Sequence, residues 1–316
     1  MTRQLDNRTR DAIDLAVEIE QEDAKAAGGG INYLSKIFCQ LSLPHSEPPP
    51  NTSVWIKTNG SLTLRLRPGV DVDPATGTEH YGGFPYGKIP RYLLIWICST
   101  VVTGHELHDD GLTINLGDSM AGFLRQLGIQ TSSGGKNGSV TRVRDQVLRL
   151  ATSSVLVTDS RNDGGAWNFR STNFAFVDSA NLLWSSKPAQ SDALWPSSSL
   201  TISQAFRDAI LASSVPLSTR SLRLLQRSPS GGVLALDLYT WLVHRMYSLR
   251  RPTTIPWEYL SGQFGNYSQV RQFRARVVKV LPIVSLAYPE AKIRPLAAGL
   301  ELRPSPLSVS PKPLDL

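Results

Sequence analysis

Only two cysteines occur in 316 residues, Cys39 and Cys98, and both sit in apolar runs. That excludes a disulfide scaffold or a thiolate zinc cluster and reads as two reduced core thiols of a cytoplasmic protein. Histidine is scarce as well, at five residues. The densest group, His105-Glu106-Leu107-His108-Asp109-Asp110, lacks the HExxH spacing that sets two imidazoles on one helix face. It reads as a solvated loop without a metal. No two histidines flank a single apolar residue, the pairing a metal-dependent DNA-nicking centre needs, and no Ser/His/Asp grouping stands out. Gly134-Gly135-Lys136-Asn137-Gly138-Ser139 lacks the four-residue spacer and the Gly-Lys-Ser/Thr order of a P-loop. These absences describe a protein with no catalytic chemistry and no cofactor. No stretch reaches 18 consecutive apolar residues, so no membrane span is expected. The polar, acidic N-terminus is unlike a secretory signal.

Positive charge is what the chain does have. The net charge is +7, unevenly spread. Residues 1–50 carry five Lys/Arg against eight Asp/Glu, whereas residues 215–316 carry fourteen against five. A polyanionic partner for the C-terminal part follows, because each neutralised phosphate releases counterions.

In chain order, Asp6 or Asn7 caps a helix through DAIDLAVEIEQEDAKAA that stops at Gly28-Gly29-Gly30. Its acidic face suits an accessory helix for a protein partner rather than a DNA arm. Ile37–Leu43 is apolar and roughly alternating, which predicts a strand. Ser53–Lys57, Asn59-Gly60 and Ser61–Arg67 form a strong hairpin signal. Pro90 opens a helix through RYLLIWICSTVV, too apolar for either face to be exposed. A short strand at Thr113–Leu116 precedes a helix MAGFLRQLG capped by Asp118 or Ser119. The next helix, Ser139–Thr152, gathers Val140, Val143, Val147 and Leu150 on one face, and strand signals follow at Ser154–Thr158 and Asn173–Val177. Asp192 to Ser214, with a helix Ser203–Leu211, links this half to a second that begins with a helix Gly232–Leu249 and the strand Thr253–Ile255.

Pro256 to Leu302 carries the functional signal. Trp257 and Leu260 share one face of a short helix that ends at Gly265-Asn266, and Ser268 is a good N-cap for the next. There Phe273, Val277, Val280 and Leu281 fall within ~100° of one another. Ser268, Gln272, Arg276 and Lys279 lie opposite, with Arg271 on the flank. Lys292–Arg294 and Leu300–Arg303 around Ala298-Gly299 read as a hairpin. Helix, turn, basic helix and basic hairpin describe a winged helix-turn-helix. The same order in both halves predicts an α+β fold of tandem winged-helix domains with an N-terminal helix. Its boundaries are 1–30 for the accessory helix, 31–190 and 191–303 for the two domains, and 304–316 for a disordered Pro/Ser-rich tail.

At Tyr86-Gly87-Lys88-Ile89-Pro90-Arg91 the sequence resembles plasmid-encoded RepA-type replication initiators. The resemblance takes in Leu43-Pro44-His45, Asn59-Gly60, Leu62-Thr63-Leu64, Leu116-Gly117, Phe123-Leu124 and the GGKNGS stretch. It resumes at Leu236–Leu242, Ile255-Pro256-Trp257, Phe264-Gly265, Phe273 and Tyr288-Pro289-Glu290, about 260 residues in all. It implies two winged-helix domains that bind double-stranded repeats at a plasmid origin, open the adjacent DNA, and recruit the host replication initiator and replicative helicase. It implies in addition repression of the initiator's own promoter, with a homodimer at the operator and monomers at the origin. Pro282 departs from the pattern, falling where relatives are helical, and predicts a kink or an end to the helix. The first 30 residues have no evident counterpart.

The DNA-binding candidates are Ser268, Arg271, Gln272, Arg276 and Lys279 on the recognition helix, with Lys292, Arg294 and Arg303 on the hairpin. Arg and Gln suit bidentate contacts to guanine and adenine edges, while Lys suits phosphate. Arg274, near the apolar stripe, pairs with Glu258 or covers the core instead. In the first domain Lys136, Asn137, Ser139, Arg142 and Arg149 offer a weaker, phosphate-directed surface, and its exposed strand edges suit a homodimer. For each of these the plain alternative is a solvated charge. Gln40-Leu41-Ser42-Leu43-Pro44 looks like the peptides that bind bacterial sliding clamps, but leucines buried in a strand would not be available to a clamp. The competing function is a winged-helix transcriptional repressor with no part in replication.

Overall fold

The computed structural model describes residues 7–25, 30–72, 79–116, 125, 129, 139–164, 166–182, 198–264 and 269–309. It divides into two compact units, one of residues 41–214 and one of residues 1–40 together with 215–316. This division cuts the chain differently from boundaries placed by element order, since the first forty residues belong with the C-terminal unit. Both units mix helix and sheet.

In the 41–214 unit, β2 (Trp55–Asn59), β3 (Leu62–Arg67), β7 (Ser154–Asp163) and β8 (Ala166–Ala175) form an antiparallel sheet in that order. The β2–β3 turn is the expected one: Asn59 pairs with Leu62, and Gly60 has φ 59, a left-handed conformation that glycine adopts without strain. The helix α3 (Lys88–Thr103) buries residues all round, including Tyr92, Ile95, Trp96 and Cys98. The helix α4 (Ser139–Thr152) buries Val143, Val147 and Leu150 as its periodicity requires. Three short strands, β6 (Thr113–Asn115), β10 (Ser199–Ile202) and β9 (Val177–Asn181), make a second sheet in that order. The helix α5 (Gln204–Ala212) follows, capped by the Ser203 hydroxyl, which accepts from the Phe206 amide. Phe206 stacks on Phe174 at 5.2 Å and meets Phe176 edge-on at 5.2 Å. The remaining strands, β4 (Val70–Val72) and β5 (Glu79–Tyr81), pair with each other. Of the helix expected at MAGFLRQLG only Arg125 is described, and it is helical; the GGKNG stretch lies outside the described residues.

The motifs that carry the family resemblance here are structural. Arg91 is 5% exposed and donates to the carbonyls of Leu43 (2.7 Å), Gly87 (2.7 Å) and Pro44 (3.1 Å). One buried guanidinium thus joins Leu43-Pro44 to Tyr86–Arg91, its charge met by three fixed dipoles.

In the other unit the strand expected at Ile37–Leu43 is replaced by β1 (Ile31–Ser35) and a short helix α2 (Lys36–Gln40). Phe38 and Cys39 are adjacent and both buried, which a helix end permits and a half-exposed strand does not. The strand β1 pairs with β11 (Ser214–Ser218), and Thr219 fastens the join: its hydroxyl donates to the Gly30 carbonyl (2.6 Å) and accepts from the Asn32 amide (2.7 Å). The helix α6 (Thr219–Arg227) and the almost wholly buried α7 (Val233–Ser248) come next. Then β12 (Thr253–Pro256), α8 (Trp257–Gln263), α9 (Val270–Ala287), β13 (Lys292–Pro295) and β14 (Gly299–Arg303) complete the unit.

The helix α9 runs on through Pro282 to Ala287 rather than ending there. Proline removes the hydrogen bond to the Val278 carbonyl, but Val278 and Pro282 are both exposed, so that carbonyl is on the side open to water. Residues 304–309, expected within a disordered tail, are held: the Tyr288 hydroxyl donates to the Pro306 carbonyl at 2.6 Å, and the Ser305 hydroxyl accepts from the Lys292 amide at 2.9 Å. The helix α1 (Asn7–Lys25) buries Ala12 and Ile19 in this unit. Its acidic face is used within the chain, because Glu18, Glu20, Glu22 and Asp23 pair with Arg220, Arg223 and Arg227 of α6.

Candidate nucleic-acid interface

A cluster of aromatic rings sets α9 against its neighbours. Trp241 of α7 meets Phe264 edge-on at 5.8 Å, Phe264 stacks on Phe273 of α9 at 6.4 Å, and Phe273 meets Trp257 of α8 at 6.4 Å. With Phe273, Val277, Leu281 and Val284 turned inward, Arg271, Gln272, Ala275, Arg276 and Lys279 are exposed. This is the face the periodicity predicts, and α9 contains no Asp or Glu. Arg274 takes the second of its two expected places: its guanidinium lies 6.0 Å over the Trp257 ring and shields the core. Ser268 lies outside the described residues, and Gln269 stands at the N-cap position.

Three strands form the sheet beside α9, in the order β12-β14-β13. Lys292 pairs with Arg303, and Arg294 with Glu301. Alternation turns Leu300 and Leu302 into the core, so Lys292, Arg294, Glu301 and Arg303 share the outer face. The Trp257 indole donates to the Leu296 carbonyl at 3.0 Å and so ties α8 to the hairpin turn.

Sequence reasoning missed two features of this surface. The Glu301 carboxylate bridges Arg294 at 3.2 Å and Arg303 at 3.3 Å; the Arg303 guanidinium first, with Arg294 beside it, holds that carboxyl below the usual range. Two of the three hairpin cations are therefore paired within the hairpin, a cross-strand fact that needs the register to be seen. The other feature is Arg250-Arg251, both exposed between α7 and β12. Because Thr253 pairs with Leu302, the residues just before β12 lie at the Arg303 end of β14. A cation doublet between a buried helix and a strand was the available signal.

Of the candidates in the 41–214 unit, Arg142 and Arg149 have described side chains. Lys136 and Asn137 lie outside the described residues, and Ser139 is described only as the first residue of α4. Arg142 is exposed on α4. Arg149 donates to Glu47 (2.6 Å) and to the Phe84 carbonyl (3.3 Å) and lies 5.2 Å over the Tyr86 ring, so its charge serves the fold.

In the histidine-bearing loop, Asp110 accepts from the Leu112 and Thr113 amides, both at 2.8 Å, and from the Thr113 hydroxyl at 2.6 Å. Chiefly that hydroxyl pulls its pKa down to about 2. His108 pairs with Asn115 at 3.0 Å. This is turn architecture, and among the described residues no group of three His, Cys, Asp or Glu is placed to hold a metal. In the clamp-like peptide, Leu41 and Leu43 are buried. Among the described residues, no helix is long and apolar enough to cross a membrane.

The family model described as "Plasmid encoded RepA protein" matches residues 84–259, more than half of the chain. The match stops at Tyr259, before α9 and the hairpin. Among solved structures, the chain resembles domains 2 and 3 of RctB, crystallised as selenomethionine derivatives, at 13% identity and a TM-score of 0.51. That alignment covers 86% of this chain and 98% of the other. A second crystal structure of RctB domains 2–3 aligns at 14% identity and a TM-score of 0.46, covering 83% and 92%. At 13% identity the first of these likenesses is one of fold alone. No curated protein matches this chain.

Proposed function

This chain belongs to the family of plasmid-encoded RepA proteins, and from that premise we propose that it initiates plasmid replication by binding double-stranded origin repeats. The unit β12–α8–α9–β13–β14 acts as a winged helix, with α9 in the major groove and the hairpin along the backbone. One observation carries this reading: α9 presents Arg271, Gln272, Arg276 and Lys279 on an exposed face without carboxylates, beside a basic hairpin. Arg271, Gln272 and Arg276 read base edges; Lys279 and Lys292 hold phosphates. Arg250 and Arg251 join them, while Glu301 fixes where Arg294 and Arg303 point. The 41–214 unit holds the first winged-helix domain, with Arg142 as its contribution to phosphate binding and its sheet edge available to a second copy. The protein has no catalytic chemistry of its own. It opens adjacent DNA at a deformation cost offset by protein–DNA contacts, and it engages the host initiator and helicase in the cytoplasm.

Fluorescence anisotropy with the plasmid's own origin duplex and a shuffled duplex, at ~150 mM salt, tests this. The expected preference is ~10³-fold or more. Arg271→Ala or Arg276→Ala is expected to cost ~1–3 kcal/mol on the cognate duplex and little on the shuffled one. Equal, weak and steeply salt-dependent binding to both would reduce α9 to a basic surface. A plasmid that replicates without this gene while its promoter is derepressed would favour a repressor.

A further inference from the structure

We infer that the outer face of the β2-β3-β7-β8 sheet binds single-stranded DNA. The inference goes beyond the duplex reading and stands on a different unit of the chain. Trp55, Leu66, Val155 and Phe174 pair across the sheet and are buried, as are Leu64 and Val157, which fixes the inner face. The opposite face is then built in rows. Ile56, Arg65, Leu156 and Asn173 form one row across all four strands, and Thr58, Thr63, Thr158 and Ser171 form the next. Past the end of β3 the β7–β8 ribbon continues alone, and Ser160 and Phe169 make the following row. On the other side, Arg67 pairs with Ser154.

Three properties of this face converge on one ligand. Its charges are the cations Arg65 and Arg67, and no Asp or Glu stands at any of the positions named. Asp159, the nearest carboxylate in the register, belongs to the inner face and is held there by Ser61 at 2.5 Å and by Arg161. Phe169 is 64% exposed and Ile56 48% exposed, giving a ring and an aliphatic surface on which bases can stack. Between them the Thr58, Thr63 and Ser171 hydroxyls and the Asn173 amide can bond to base edges, sugar or phosphate in any sequence, while Thr158 is buried. The Arg65 guanidinium donates to the Thr158 hydroxyl at 3.2 Å, which directs it along the sheet toward the neighbouring row. Phe169 stands four residues along and two strands over from Arg65, about 17 Å. A short single strand can span that distance. A duplex cannot use the face in the same way: its bases are stacked inside, and a broad sheet enters neither groove. In an initiator that opens DNA, such a face would hold one strand after separation.

The test is anisotropy of the full chain with a fluorescent ~25-nucleotide oligo-dT. Binding is expected, weakened about tenfold by Phe169→Ala. The double variant Arg65→Ala/Arg67→Ala is expected to lower the salt slope by about 1.4, since each neutralised single-strand phosphate contributes about 0.7. Arg271→Ala/Arg276→Ala on α9 should remove the preference for the origin duplex over the shuffled one, whereas Phe169→Ala should leave that preference intact, so failure of the duplex reading and failure of this one are separable. Because Arg65 contacts Thr158, Arg65→Lys provides a check that keeps the charge, and it is expected to bind like the parent. No binding of oligo-dT by the parent, or affinity within twofold of the parent for both the Phe169 and the double-arginine variants, would overturn the inference. So would a Phe169→Ala change that shifts the sedimentation coefficient while leaving oligo-dT binding intact, because the face would then join copies of the chain.

Discussion

His244 lies in the buried wall of α7 with its Nδ1 lacking a hydrogen-bond partner. Burial, with Lys36 and Arg245 adding to it, pushes its pKa down from 6.5 to about 4. The folded protein therefore binds fewer protons at this site than the unfolded chain between those values. Its contribution to stability is complete above about pH 6.5 and is lost as pH falls toward 4. Thermal melts of the parent and of His244→Gln should converge as the pH is lowered from 7 to 4.5, with the parent falling more steeply. Parallel curves would show that the imidazole binds its proton equally in both states, so that burial does not lower its pKa. Gly299 gives a second residue-scale test, because a Cβ there would overlap the Ile255 carbonyl of β12. Gly299→Ala should force β12 and β14 apart at one end and cost ~2–3 kcal/mol by denaturant unfolding. It should weaken duplex binding in the same variant, since the hairpin is positioned by that strand pair.

Among the elements, α1 and α6 make the clearest pair. Arg220, Arg223 and Arg227 recur at helical spacing, and each meets a carboxylate of α1. Arg223 and Asp23 are the least exposed partners. Asp23→Asn should cost about 1–3 kcal/mol, the penalty for leaving a part-buried guanidinium short of a partner. Glu20→Gln, at an exposed pair, should change stability by less than ~1 kcal/mol and lose even that in high salt. Chemical denaturation at low and high ionic strength distinguishes the two. Elements with one clean period were legible in the sequence: the Asn59-Gly60 hairpin, α4, α7, and α9 with its exposed cations. The strand β11 and the helix α6 were not, because Ser214–Arg227 is short and its pattern is completed by residues some 200 positions away. For the same reason α1 reads as a helix seeking an outside partner, when its partner is α6. At Ile37–Leu43 the three-residue apolar run Ile37-Phe38-Cys39 fitted either period, and packing chose the helix.

At the scale of the whole molecule, the charge map changes once the fold is known. The excess of cations in residues 215–316 is real, but three of the fourteen are answered by α1 and two more by Glu301. What remains for a polyanion is concentrated on α9, Lys292 and Arg250-Arg251. The family membership was legible from ordered motifs, and the structure gives a reason for one of them, since Leu43-Pro44 and Tyr86–Arg91 are two ends of one hydrogen-bond cluster. The sheet face with Phe169 was not legible, because it depends on the register of four strands drawn from residues 55–67 and 154–175.

The strand β1 finds its partner only at Ser214–Ser218, and α1 only at Thr219–Arg227. On a ribosome, which releases ~5–20 residues per second, the first forty residues therefore emerge well before anything they can fold against. They must wait, apolar side chains and all, while the middle of the protein is made and folds as an insert between them and their partners. An early-synthesised segment held in reserve for a late one is a point at which a nascent-chain chaperone has time to act.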